Sequence, residues 1–280
     1  MTERRFTRSI QSLGYLLRHP YKSLVAVWQA QDNDKAHVDT LEDVLPQIEM
    51  SEIIGNQPIH LGFCSLLGNG STVADYALLK SACEFCAQKH GDGYQADYLE
   101  IGTGRGESIL NVMESDRVNS AYSVTLGTSL EDNASRRVNA NFFLKRYPNE
   151  KFHQELANSM LFDFNTLNKR FDVVYVDGEK SYEATLNDTK KVEALLKDEH
   201  SIIVWRYKRD VAGPVSAETL SGIRAGIPKE KWKHLYEVKN TLCAIYVQGQ
   251  FHSIQRSVEQ SKEMPIPTSC FEVDIKQHML

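Results

Sequence analysis

Two stretches of the chain hold residue types that can do chemistry. In the first, residues 98–108, three glycines stand at alternate positions (Gly102, Gly104 and Gly106), with an acid, Glu100, two places before them. A short apolar strand (Tyr98, Leu99, Ile101) leads in, and a helix-forming run, Glu107 to Met113, follows at once. Strand, glycine turn and helix N-terminus in that order cradle a nucleotide-like ligand in open α/β sheets, because bare backbone and unpaired helix N–H groups face it. A dinucleotide fingerprint places its third glycine three residues after the second. Here the gap is two, and Glu107 fills the dinucleotide position. A nicotinamide-dependent oxidoreductase is disfavoured on that spacing. The bland alternative is a tight turn with no ligand.

The second stretch is Asp177-Gly-Glu-Lys-Ser-Tyr-Glu183, which follows an apolar run from Phe171. It is joined by Arg206, Tyr207, Lys208 and Arg209, which follow the apolar run Ser201–Trp205. Guanidinium forks and ammonium groups suit a carboxylate or phosphate. The alternative for Arg206–Arg209 is a solvated basic loop.

The elements that must position these residues alternate along the chain. A helix from about Thr72 to His90 precedes the glycine turn. Strands are expected at Ala121–Leu126, Phe152–Leu156, Phe171–Asp177 and Ser201–Trp205. Helices are expected at Ser129–Tyr147, where Ser129 and Asp132 make a capping-box-like start, at Ser181–Lys197 and at Ser216–Ala225. A hairpin, Lys233–Lys239 and Thr241–Gln248, turns at Asn240, and Cys270–Ile275 reads as a late edge strand. Strands alternating with helices predict an α/β fold, a doubly wound and mostly parallel sheet with right-handed crossovers. Ligands bind there beyond the carboxyl ends of the strands.

The pattern E-x-G-x-G-x-G resembles motif I of the class I methyltransferases, which bind S-adenosylmethionine (SAM). With the D-G-x-x-S-Y-E run, the strand Ile202–Trp205 and the segment Asn240–Val247, the chain is similar to the branch that holds metal-assisted O-methyltransferases of sugars and secondary metabolites. The similarity covers roughly residues 59–248. It implies a Rossmann-like sheet of seven strands with the last inserted antiparallel. It also implies a cofactor site of Glu100, Gly102, Thr103, Gly104, Arg105, Gly106, Thr125, Asn158, Ser159 and Asp177. Thr125 stands where a ribose-binding carboxylate is usual, and offers one hydroxyl in its place. Asn158 stands near the family's adenine position and can accept through its amide oxygen.

The departures from the family are as informative. Relatives carry a histidine where Lys180 stands, and a His-Asp or Asp-Asp pair where Arg206 and Tyr207 stand; with the earlier aspartate those acids hold a divalent cation. A hard cation needs oxygen ligands, so no metal is expected at this site. Lys180, Arg206 and Lys208 are instead expected to bind an anionic acceptor. Asp177, or a Lys180 with its pKa lowered by cationic neighbours, is expected to take the acceptor proton, and Tyr207 to bond the acceptor oxygen. The reading is therefore a SAM-dependent methyltransferase, metal-independent, acting on oxygen of a sugar or other small, anionic metabolite. The alternative is a catalytically degenerate member of the fold that binds a ligand or scaffolds a partner.

Composition bounds the rest. A hydrophobic share of 41% and a charged share of 25% are ordinary for a globular chain, and a net charge of −5 gives no reason to expect nucleic-acid binding. No apolar run is long enough to span a bilayer, and the N-terminus lacks a signal-peptide pattern. Five cysteines are an odd number, which argues for reduced thiols and a cytoplasmic home. The C-x-x-C of Cys83 and Cys86 lies in a helix with no second pair, so buried thiols are expected rather than zinc. Residues 1–58 read as an N-terminal helical segment with a basic amphipathic stretch (Phe6, Ile10, Leu13, Leu17), able to pack on its own domain or pair two protomers. Residues 59–250 read as the SAM-binding domain and 251–280 as a C-terminal tail.

Overall fold

The computed structural model describes residues 45–49, 59–61, 71–126, 149–208, 211, 215–247 and 273–275. All of them fall within one compact unit, residues 45–280. The expected N-terminal helices and the helix at 129–147 lie outside the described residues.

Ten strands are described: β1 (Gln47–Ile48), β2 (Ile59–Leu61), β3 (Ala96–Ile101), β4 (Val118–Thr125), β5 (Phe152–Leu156), β6 (Val173–Val176), β7 (Ile202–Arg206), β8 (Leu235–Val238), β9 (Cys243–Val247) and β10 (Val273–Ile275). Four α-helices accompany them: α1 (Val73–His90), α2 (Glu107–Met113), α3 (Tyr182–Glu193) and α4 (Ala217–Gly226). Eight strands form one sheet in the order β1-β8-β9-β7-β6-β3-β4-β5. Only β9 runs antiparallel to its neighbours, β7 and β8. The sheet is therefore doubly wound and mostly parallel as expected, but with eight strands rather than seven. The addition is β1, two residues paired in parallel with β8. Val273–Ile275 pairs in parallel with Ile59–Leu61 in a separate two-stranded sheet. Pairing thus reaches beyond both ends of the segment 59–250.

Alternation along each buried strand sorts its side chains onto two faces. Val173 and Tyr175, Ile202 and Val204, and Cys243 and Ile245 join the core under α1 and α2. Val174 and Val176, Ile203 and Trp205, and Ala244 and Tyr246 join the opposite core with Val192 of α3 and Ile223 of α4. A strand buried on both faces reads as a continuous apolar run, which is why β6 and β7 are so plain in the sequence. Each helix start is set locally. Thr72 caps α1 in a reciprocal capping box with Asp75, and Ser181 and Ser216 cap α3 and α4. Caps of this kind contribute about 1 kcal/mol each.

The chain winds from β3 outward to β4 and β5, then returns to lay β6 and β7 on the other side of β3. The switch point lies between β3 and β6, whose carboxyl ends carry Gly102 and Asp177. That is where such sheets leave a crevice.

Candidate active site

The glycine turn is built by three left-handed residues in alternation: Gly102 at φ 87, Gly104 at 54 and Gly106 at 92. The turn closes through the Gly106 N–H, which donates to the Thr103 carbonyl at 2.9 Å. Gly102 serves packing as well as conformation. A Cβ there would lie 2.5 Å from the carbonyl oxygen of Asp177 and 2.9 Å from the nitrogen of Gly178. The β3 and β6 loops are therefore in direct contact, and the Asp177 N–H donates to the Ile101 carbonyl at 2.8 Å. Gly104 is the opposite case, since its Cβ would meet nothing within 4 Å. It presents bare backbone to open space, which fits a cradle for the amino-acid end of a nucleoside ligand.

Glu100 lies beneath this turn, sealed from solvent. Its carboxyl accepts from the Tyr98 hydroxyl at 2.7 Å and the Ser108 hydroxyl at 2.9 Å, so it ties β3 to the first turn of α2. Burial raises its pKa to about 8, the Asp177 charge adds to the rise, and the two hydroxyls oppose it. Between about pH 4.5 and 8 the folded protein keeps a proton on Glu100 that the unfolded chain has released, so stability falls as pH rises. The slope is about 1.4 kcal/mol per pH unit at most. Glu100→Gln is expected to flatten this fall in urea midpoints measured between pH 5 and 9. Parallel pH profiles for the two proteins would contradict the assignment.

The walls come from β4 and β5. Thr125 Oγ1 accepts from the Thr103 N–H at 3.4 Å, and Thr103 Oγ1 bonds the Ser123 hydroxyl. Among the described residues the Thr125 hydroxyl proton has no acceptor and remains to be donated. Asn158 Oδ1 accepts from the Met160 N–H at 2.9 Å in a tight turn. That oxygen keeps a second lone pair and the amide N–H groups make no bond among the described residues, so both ends of the Asn158 amide are available to a ligand. Ser159 donates to Asp188 Oδ2 at 3.2 Å. Lys191 of α3 grips the same loop with all three ammonium protons, on the carbonyls of Ser159, Met160 and Phe162 at 2.7, 3.0 and 3.1 Å.

At the acceptor side, Asp177 gathers two cations on one oxygen. Lys180 Nζ lies 2.8 Å and Arg206 Nη1 3.3 Å from its Oδ1. Its Oδ2 accepts only a long bond from the Tyr175 hydroxyl, 3.4 Å, among the described residues. Burial works against the charge of Arg206, but Asp177, with Tyr175 and Asp75 adding to it, outweighs that and its pKa rises. The loop is held from below: the Thr219 hydroxyl of α4 donates to the Lys180 carbonyl at 3.0 Å. Lys180 thus has an anion, Asp177, in contact and a cation, Arg206, on the same carboxylate oxygen.

Tyr207 and Lys208 do not join this group. Tyr207 is 2% exposed and donates its hydroxyl to Glu237 of β8. Lys208 pairs with the same Glu237 at 2.6 Å. Burial and the Glu237 carboxylate push the Tyr207 pKa strongly upward. Both expected acceptor contacts are therefore corrected: these side chains fasten the end of β7 to β8. Neither the braces of Glu100 nor Lys191 was anticipated. Tyr98 and Tyr175 could have been, since each stands two residues before an acid on one strand and so shares its face.

Residues 99–205, from β3 through β7, match a family model described as a methyltransferase domain. Among solved structures, the chain is similar to the SAM-bound amino pentose methyltransferase from Micromonospora echinaspora, at 15% identity and TM-score 0.34, with 50% of this chain and 52% of that one covered. It is similar to a candidate caffeoyl-CoA O-methyltransferase from Staphylococcus aureus at 16% identity and TM-score 0.44, covering 81% and 98%. A spermidine synthase from Thermotoga maritima aligns at 13% identity and TM-score 0.39, covering 64% and 60%. The chain thus spans about half the length of the first of these. No curated protein matches it.

Proposed function

We propose that this chain, whose residues 99–205 match a methyltransferase-domain model, is a class I SAM-dependent methyltransferase that methylates an oxygen of a small anionic acceptor, such as an acidic sugar, without a divalent metal. The observation that carries the reading is the placement of Lys180 and Arg206 on one oxygen of Asp177, beside the glycine turn. A hard cation at Asp177 would face an ammonium and a guanidinium at contact distance, and repulsion opposes it. Two positive charges against one negative leave one positive charge to hold an acceptor carboxylate or phosphate.

SAM, when bound, supplies an electrophilic methyl on its sulfonium. The protein's task is alignment and proton removal. Gly102, Gly104 and Gly106 set the cradle, with Gly104 giving backbone access. Thr125 and the Asn158 amide line the adenosine side. Lys180 and Arg206 orient the acceptor, and the less encumbered Oδ2 of Asp177 is placed to take its hydroxyl proton. The free thiols of Cys83, Cys86 and Cys243 suit a reducing compartment, which supports a cytoplasmic site of action. Among the described residues no helix is long and apolar enough to cross a membrane.

Calorimetric titration with S-adenosylhomocysteine tests the cofactor half of the reading. Micromolar binding is expected, and Gly104→Asp, which fills open space in front of the turn, is expected to weaken it at least about 100-fold. Absence of binding at millimolar ligand would sink the proposal. The acceptor half is tested with labelled SAM and a panel of hydroxy acids and acidic sugars. Turnover should persist in excess chelator, and a magnesium requirement would overturn the metal-free mechanism.

A further inference from the structure

At the end of the sheet opposite the glycine turn, three side chains with metal-ligand chemistry converge from three elements. His90 closes α1, Asp172 precedes β6 and Asp198 precedes β7. His90 Nε2 lies 3.0 Å from Asp198 Oδ2 and 3.8 Å from Asp172 Oδ1. One ligand atom from each residue falls within 4.8 Å of the others. Donors about 2.0–2.2 Å from a tetrahedral zinc ion stand roughly 3.3–3.5 Å apart, so these separations bracket the required one. We propose that His90, Asp172 and Asp198 bind a divalent transition metal of the zinc class, which staples the end of α1 to the amino-terminal ends of β6 and β7.

Ligand type selects the metal. An imidazole with two carboxylates suits zinc and its neighbours better than magnesium or calcium, which prefer oxygen alone. The ligands are also held in advance. Asp172 is 1% exposed, and its Oδ1 accepts from the Tyr94 hydroxyl at 2.8 Å. Its Oδ2 takes the Lys197 ammonium at 2.8 Å and the Asp97 N–H at 2.7 Å. The lysine thus occupies the far oxygen and leaves a lone pair of Oδ1 on the side of His90. Tyr94 stacks on the His90 ring at 4.1 Å and fixes its plane. Outer contacts of this kind orient metal ligands and strengthen the site. His200 packs edge-on against His90 at 5.5 Å, and the fourth position is left to water.

The test uses the full-length protein, stripped by dialysis against chelator and titrated with zinc chloride near neutral pH. One ion per chain at micromolar affinity or tighter is expected, with a rise in melting temperature. His90→Ala and Asp198→Asn should each weaken uptake at least about 100-fold. Asp198 is partly exposed, so Asp198→Asn decides the matter even if the histidine variant fails to fold. The cobalt(II) form should show d–d bands without thiolate charge transfer, which separates this site from cysteine binding. Unchanged uptake by Asp198→Asn, a thiolate band, or no uptake at about 100 µM zinc would overturn the proposal.

Discussion

Gly102→Ala is expected to destabilise the domain by about 3–5 kcal/mol and to abolish S-adenosylhomocysteine binding along with it. Two costs combine. The residue sits at φ 87, where any side chain is strained. The new Cβ would also lie 2.5 Å from the Asp177 carbonyl oxygen and 2.8 Å from its carbon. Both neighbours are backbone, so neither can swing away. Relief requires β3 and β6 to separate at the point where the Asp177 N–H bonds the Ile101 carbonyl. A drop in melting temperature of about 10 °C is the expected readout. Gly104→Asp is the control, because φ 54 suits aspartate and nothing lies within 4 Å of its Cβ. It should melt close to the parent while losing the ligand. If Gly102→Ala melted like the parent and still bound the ligand, the contact between the two loops would not matter.

Asp177→Ala has the second large effect. It leaves Lys180 and Arg206, 29% and 18% exposed at their side chains, without their shared counter-charge. Loss of a fully buried partner costs about 3–5 kcal/mol. Solvent reaches these cations, so about 2 kcal/mol is expected instead. Methyl transfer to the best acceptor of the panel should fall about 10²–10⁴-fold, the usual worth of a general base. Asp177→Asn keeps the side chain's shape and one acceptor oxygen but removes both the base and the counter-charge, so it should be about as inactive as alanine. Kinetics within a few-fold of the parent for the alanine variant would remove Asp177 from the mechanism. Unchanged S-adenosylhomocysteine binding in both variants shows that the cradle is intact.

What could be read from residues alone followed their physics. Continuous apolar runs bounded by turn residues marked β6 and β7, because burial on both faces leaves no ambiguity of period. Glycines at alternate positions marked the turn, because few other residues accept three left-handed conformations in five places. Asp177, Lys180 and Arg206 came together because they stand at or just beyond the carboxyl ends of the neighbouring strands β6 and β7. Tyr207 and Lys208 were misjudged for a reason of the same kind. Both side chains turn to the one carboxylate of Glu237, distant in sequence on β8, which offered each a buried partner. Nothing local announces a long-range partner. The same holds for Lys191, whose three carbonyl contacts exist only once α3 lies against the loop after β5. The two-residue strand β1 had too few residues to show any period.

The uneven tenancy of the cofactor side bears on redesign. The turn is constrained in conformation, since its alternate residues are held left-handed, and at Gly102 also in space, where a side chain would abut the neighbouring strand's backbone. The adenosine wall is the opposite: Thr125 and Asn158 are partly or fully exposed and hold their places through single bonds of 3.4 and 2.9 Å. Altered cofactors, such as analogues enlarged on the ribose or the base, should therefore be accommodated by recutting Thr125 and Asn158, with the glycines left untouched. The part of the site that defines the fold is the part that evolution or an engineer can least afford to edit.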